Sequence, residues 1–259
     1  MVLTRTTNHA YSHPFPTVTL AFFLRYYSPQ LNPFSSHVLS TDTISSHVDP
    51  ATGRLHTTRI HLKKSRMPSA VVKLLPTSVT GGGGDKSSYV LETSVVDIQE
   101  GWMKTESRNL NFTGVLSVVE EQHYSTSPPD ASTSNAISDS PSTGTAANGL
   151  ARPLSPNTFV TTTFSYRSSL GNKKHDRAAV DSAESPDETG PRRLGSWISG
   201  WGATRVQRSI ESIASKKTDD QLIKSRDGMG IVLERLRNNG VVSVLRELRR
   251  REGNTVFDQ

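Results

Sequence analysis

The chain has 259 residues, a net charge of +6, 33% hydrophobic residues and no cysteine. The missing thiols exclude disulfides, thiolate metal sites and a cysteine nucleophile, and the low apolar share implies a folded part smaller than the length suggests. No apolar run approaches the ~20 residues that span a bilayer, and the start lacks the pattern of a secretory signal, while the basic surplus fits an acidic ligand, an anionic membrane or nucleic acid equally.

In chain order, Val2 to His9 reads as a strand, and Pro16 to Tyr26 as a helix with Pro in its first turn followed by Val18, Leu20, Ala21, Phe22 and Leu24. Strands rich in Val, Ile, Thr and aromatics follow at His37 to Ser46 and Leu55 to Leu62. Asp49-Pro50-Ala51-Thr52-Gly53 turns between them. A basic run, Lys63, Lys64 and Arg66, leads to a short apolar helix, Pro68 to Leu75, stopped by Pro76 and followed by Gly81 to Gly84. Tyr89 to Ile98, Met103 to Leu110, Val115 to Tyr124 and Phe159 to Tyr166 complete seven strands. Short turns at Asp97 to Gly101 and Asn111 to Gly114 predict an antiparallel meander.

Residues 125 to 157 and 168 to 194 are polar, rich in Ser, Pro and Gly, and bury too little to offset their ordering entropy. They read as insertions within one domain, residues 1–239, followed by a tail, 240–259. From 197 to about 238 runs the longest helical pattern, closed by Asn238-Asn239-Gly240. Segregated strands and helices give an α+β class. The tail Val241 to Arg251 reads either as a basic amphipathic helix that touches anionic membrane or as a solvated appendage.

At ~100° per residue, Val206, Ile210, Ile213, Gly228 and Ile231 share one sector of the long helix about 60° wide, and so do Lys217 and Lys224. Two readings fit: the lysines snorkel out of the core along their stems, or the stripe lines a cavity where their ammoniums need an anion. The Lys63–Arg66 run fits a solvated face, Arg25 fits a helix dipole, and His37 fits a structural role. Enzyme signatures fail. In the Gly81–Ser87 stretch Asp85 stands where a phosphate loop needs Gly before Lys. His37 points to the opposite strand face from Ser40 and Asp42. The eight histidines show no metal-ligand spacing. No catalytic residue, metal or cofactor is expected. A nucleic-acid module needs basic and aromatic residues clustered on one sheet face, a pattern the strands lack.

Several stretches together resemble one family. They are Met1-Val2-Leu3, Ala21-Phe22-Phe23-Leu24-Arg25-Tyr26, Ser36 to Ser45 (SHVLSTDTIS), Leu55-His56-Thr57-Thr58-Arg59, Met103-Lys104-Thr105, Arg108-Asn109-Leu110, Thr113-Gly114 and Lys224 to Met229 (KSRDGM). In this order they resemble the PRELI/slowmo family of mitochondrial intermembrane-space lipid carriers, most closely its fungal UPS branch. The resemblance implies a curved seven-stranded antiparallel sheet packed against helices around a lipid cavity, with the Met67 to Leu75 helix and following loop as lid. It implies phosphatidic acid, or by the same fold phosphatidylserine, as cargo carried between outer and inner membranes for cardiolipin synthesis. Carried over by position, the headgroup contacts are Arg25, His37, Lys63, Arg66, Lys217 and Lys224, with Arg66 where relatives have lysine. It further implies transient contact with an anionic membrane and a small helical partner with twin Cx9C motifs. The segment 26–36 is longer than the family pattern and places the spacing of Arg25 and His37 in question.

Overall fold

The computed structural model describes residues 2–65, 86–113, 116–128, 155–168 and 201–255. Seven strands form one antiparallel sheet: β1 (Leu3–Tyr11), β2 (Val38–Val48), β3 (Leu55–Ser65), β4 (Lys86–Asp97), β5 (Trp102–Asn109), β6 (Ser117–Ser125) and β7 (Thr158–Arg167). Among the described residues three helices pack with it, α1 (Phe15–Leu24), α2 (Trp201–Asn239) and α3 (Val241–Thr255), with a 3-10 turn at Pro33–Ser35. All seven strands appear where residue pattern predicts them, and the α+β class holds. The insertions expected around 125–157 and 168–194 fall largely outside the described residues, as does the expected lid helix.

Strand order is β1-β7-β6-β5-β4-β3-β2. Strands β2 to β7 are the predicted meander, but β1 pairs with β7, at the opposite edge from β2. The crossing segment between β1 and β2 contains α1, whose apolar residues surround its axis: Phe15, Val18, Ala21, Phe22 and Leu24 are all buried. A helix apolar on every side must be covered on every side, so it lies between the sheet and α2. The edge strand β2 is irregular, with register shifts at Val38/Ser40 and Thr43/Ser45, a device that discourages edge pairing.

Register stacks the covered face into rows. One row is apolar: Leu55, Val96, Met103, Tyr124 and Val160, ending at His9. Two residues further along each strand comes a row of Thr57, Ser94, Thr105, Gln122, Thr162 and Thr7. The next holds Arg59, Glu92, Ser107, Glu120, Phe164 and Arg5. The apolar row forms the main core with Phe15, Val18 and Phe22 of α1 and Met229, Val232, Leu233 and Leu236 of α2. Val244 and Leu248 of α3 belong to that core. The tail is therefore docked, because its two inward apolar residues complete the core that α2 begins; the solvated-appendage reading does not hold for it.

Helix α2 ends as its sequence predicts, with Gly240 at φ 73° beyond Asn239 and its N–H donated to the Leu236 carbonyl. Its buried face differs from the expected stripe. Leu222, Gly228, Met229, Val232, Leu233 and Leu236 are buried, Ile213 and Ile231 are half-buried, and Lys224 is exposed. The covered face is rotated by roughly a quarter turn from the sector read in sequence. The reason is that α2 packs against α1, the 3-10 turn and β7 together, and these neighbours set which face is covered.

Candidate functional site

The site begins where α1 stops. Tyr27 donates its N–H to the Leu24 carbonyl, and the Asn32 amide donates to the Arg25 carbonyl at 2.9 Å. The same Asn32 side chain accepts from Phe34 N at 3.1 Å, capping the 3-10 turn. Gly228 of α2 makes this possible: a Cβ there would lie 2.6 Å from Asn32 Oδ1. The long 26–36 segment is thus folded around one amide, and it returns the chain so that the His37 and Tyr26 rings meet edge-on at 6.4 Å.

Arg25 and Tyr26 are held over the charged row. Glu92 is only 1% exposed and carries two guanidiniums: Arg25 Nη2 lies 2.5 Å from Oε2, and Arg59 Nε donates to Oε1 at 3.0 Å while its Nη2 bonds the same oxygen. Arg25 also donates to the Phe22 carbonyl and Arg59 to the Phe23 carbonyl. The Phe22 ring lies 3.6 Å beneath Arg25 Cζ. His61 is fully buried, with Nδ1 2.9 Å from Thr41 Oγ1 and Nε2 3.4 Å from Glu92 Oε2, an electrostatic contact longer than a good hydrogen bond. Lys63 Nζ sits 4.8 Å over the Tyr26 ring, which also faces His61 at 5.1 Å.

Electrostatics follow from this crowding. Burial alone would raise the Glu92 pKa, but Arg25, the contact with His61 and Arg59 override it and hold the carboxylate well below its ordinary range. Burial opposes the charge on Arg25, and Glu92 outweighs it and pushes its pKa up. Glu120 is shifted the other way: burial raises it, against the pull of Lys63 and Arg25. His37 is lowered by desolvation and by Lys63, with Lys224 adding in the same direction; the hydrogen bond to Phe34 opposes them. That bond, 3.0 Å from His37 Nδ1 to a carbonyl, makes Nδ1 the donor. In the neutral ring Nε2 then carries the lone pair.

Of the six residues expected to contact a headgroup, Arg25, His37 and Lys63 lie around Tyr26, and Lys224 is near enough to influence His37. Arg66 lies outside the described residues, and so does the Lys217 side chain. Sequence reading missed Arg59, His61, Glu92, Glu120 and Tyr26. A signal existed for two of them, because Arg59, His61 and Lys63 alternate along β3 and so share one face. The decisive partner, Glu92, depends on register, which sets it directly opposite Arg59. Among the described residues no group of His, Asp or Glu is placed to hold a metal ion. A surface groove of about 820 Å³, bordered by His9, Tyr11, Phe34 and Arg226, includes none of Arg25, His37, Lys63 and Lys224.

The chain is 40% identical over 140 residues to the protein UPS1, mitochondrial, of Saccharomyces cerevisiae, covering 54% of this chain and 71% of the yeast protein. It is 35% identical over 108 residues to the ups1 homolog of Schizosaccharomyces pombe, covering 42% of this chain and 56% of that one. With the slowmo homolog of Dictyostelium discoideum it shares 34% identity over 127 residues, covering 48% of this chain and half of that protein. Residues 16–156, which run from α1 beyond β6, match the PRELI-like family model. The chain belongs to the PRELI-like family.

Proposed function

We propose that this protein is a mitochondrial phospholipid carrier that shuttles phosphatidic acid through the intermembrane space, from outer to inner membrane, where it supplies cardiolipin synthesis. The observation that carries the reading is the gradient along the covered sheet face. It runs from an apolar row, through hydroxyls, to three cations, Arg25, Arg59 and Lys63, against one fully ionised carboxylate, Glu92. Such a face suits an amphiphile: acyl chains gain about 0.8 kcal/mol per buried CH₂, and charge-assisted bonds to phosphate oxygens are strong in a partly dry site.

Each side chain then has a task. Arg25 and Arg59, locked by Glu92, supply fixed positive potential and cannot follow the ligand. Lys63, Lys224 and His37 are the adjustable contacts. The neutral His37 ring offers only a lone pair at Nε2, so it must take up a proton to donate a hydrogen bond to an ionised phosphate oxygen. Entry of the anion reverses the field of Lys63 that lowers its pKa, so binding and proton uptake are coupled. Arg66 and Lys217 complete the contact set, and the segment Met67 to Leu75 with the loop after it acts as lid. The absence of cysteine in this chain leaves the twin-Cx9C partner to provide whatever disulfide framework the complex has. No bond is made or broken; the site grips and releases.

Phosphatidylserine is the second reading, and Glu120 favours it. This carboxyl lies in the field of Lys63 and Arg25, and a headgroup ammonium would pair with it where a bare phosphate would not. Native mass spectrometry of lipid retained by the purified chain, followed by liposome transfer assays, tests both. Retained phosphatidic acid with faster phosphatidate transfer supports the first reading. Retained phosphatidylserine, lost in Glu120→Gln, supports the second. A protein that retains no phospholipid and transfers none refutes both.

A further inference from the structure

The outward face of α3 has no part in the headgroup cluster. Val244 and Leu248 point into the core, which fixes the helix rotationally. At ~100° per residue, Leu245, Arg249, Val242, Arg246 and Arg250 then fall in that order around one sector about 140° wide on the opposite side. All five are exposed, Val242 by 69%. Among the described residues none of the three arginines makes an ion pair. The apolar side chains and guanidiniums are therefore interleaved on one rigid face, set in a chain that is already cationic by +6.

We infer that this face of α3 is a docking surface for an anionic lipid bilayer. The order of residues around the helix is what favours a membrane. Leu245 and Val242 flank Arg249, so the apolar tips can enter between headgroups while each guanidinium spreads laterally to the phosphates. A protein partner would be met by an apolar centre with charge at its rim, whereas here Arg249 lies between Leu245 and Val242. Because Val244 and Leu248 already hold the helix, docking costs no folding of α3. The surface also lies apart from the proposed cargo site. Val244 and Leu248 on the reverse of α3 join the core of the apolar row, and none of the proposed headgroup residues lies on α3. The two can therefore be altered separately. The inference rests on the lipid-carrier reading for its biological sense, and its physical content stands without it.

The experiment uses the full chain in flotation with phosphatidylcholine vesicles, alone or containing phosphatidylglycerol. The wild-type protein should float with the anionic vesicles only, and added salt should weaken binding. Combined Arg246→Gln, Arg249→Gln and Arg250→Gln should lower binding at least tenfold, and Val242→Ser with Leu245→Ser should lower it independently. Thermal melts of both variants should match wild type, since all five side chains face solvent. Retained lipid, measured on the same preparations, should be unchanged. Undiminished flotation of both variants overturns the docking surface, as does equal binding to neutral vesicles or loss of binding only to an acidic protein. If no lipid is retained while flotation still depends on α3, the carrier reading fails and the docking surface stands.

Discussion

The two ends of the covered sheet face are built on opposite principles. At the end where α1, α2 and α3 converge, Leu55, Val96, Met103, Tyr124 and Val160 meet apolar helix faces, and burial itself stabilises the fold. At the other end, Arg25, Arg59, His61 and Glu92 are buried as completely, although buried charges seldom add stability relative to apolar residues of the same volume. Only the first end has a purely structural explanation. The second withholds stability that an apolar core would have supplied, and it sets two guanidiniums against one buried carboxylate.

Several variants can break this contrast or sharpen it. The largest effect is expected for Glu92→Ala, which strands two buried guanidiniums and should cost about 3–5 kcal/mol in chemical denaturation. A loss well below that range would mean the cluster is wetter than its burial indicates. Met103→Ala, at the apolar end, should cost about 2–5 kcal/mol through its cavity. In the fraction that remains folded it should leave lipid selectivity unchanged, and altered selectivity would blur the division. Gly228→Ala forces a methyl against the Asn32 amide and should cost about 1–3 kcal/mol. Because Asn32 sets the spacing of Arg25 and His37, that substitution should also slow transfer more than Met103→Ala does at equal stability.

Acid should weaken the fold in two stages. His9, half-buried at the end of the apolar row, has its pKa lowered from 6.5 to about 4, by desolvation first and Arg226 second. Between those values the unfolded chain binds a proton that the folded chain refuses, so stability falls as pH drops from 6.5 toward 4. His9→Leu should flatten that limb in urea titrations across the range. Glu92 acts below it. Its contribution is complete above its ordinary value of 4.5 and is lost as pH falls through its depressed folded value. The smallest stability effect belongs to Lys63→Ala, expected within about 0.5 kcal/mol, yet phosphatidate transfer should drop severalfold. Unchanged transfer would remove Lys63 from the cargo site and leave it a solvated strand end.

The seven strands were legible because alternation of β-branched and polar residues is a local property, and the Pro16 start and Asn238-Asn239-Gly240 stop are local too. The position of β1 was not, since nothing in Leu3–Tyr11 distinguishes pairing with β2 from pairing with β7. The α2 stripe was misplaced for a related reason. A 39-residue helix contains more than one apolar sector, and its neighbours choose among them. The same holds for α3, whose sequence fits a free amphipathic helix until Val244 and Leu248 find the core.

The site divides in the same way. Arg25, His37 and Lys63 were reachable from sequence through resemblance, and in the structure all three lie around Tyr26. The Arg25–Glu92–Arg59 pairing was not, because it joins residues 67 and 33 positions apart through sheet register and the folded 26–36 loop. By itself the sequence determined which segments are strands and helices, where they stop and which carry charge, since each follows from residues within a turn or two. Only the tertiary structure decided which charges are neutralised and which remain for a ligand, because a charge in a folded protein is defined by what long-range packing sets beside it.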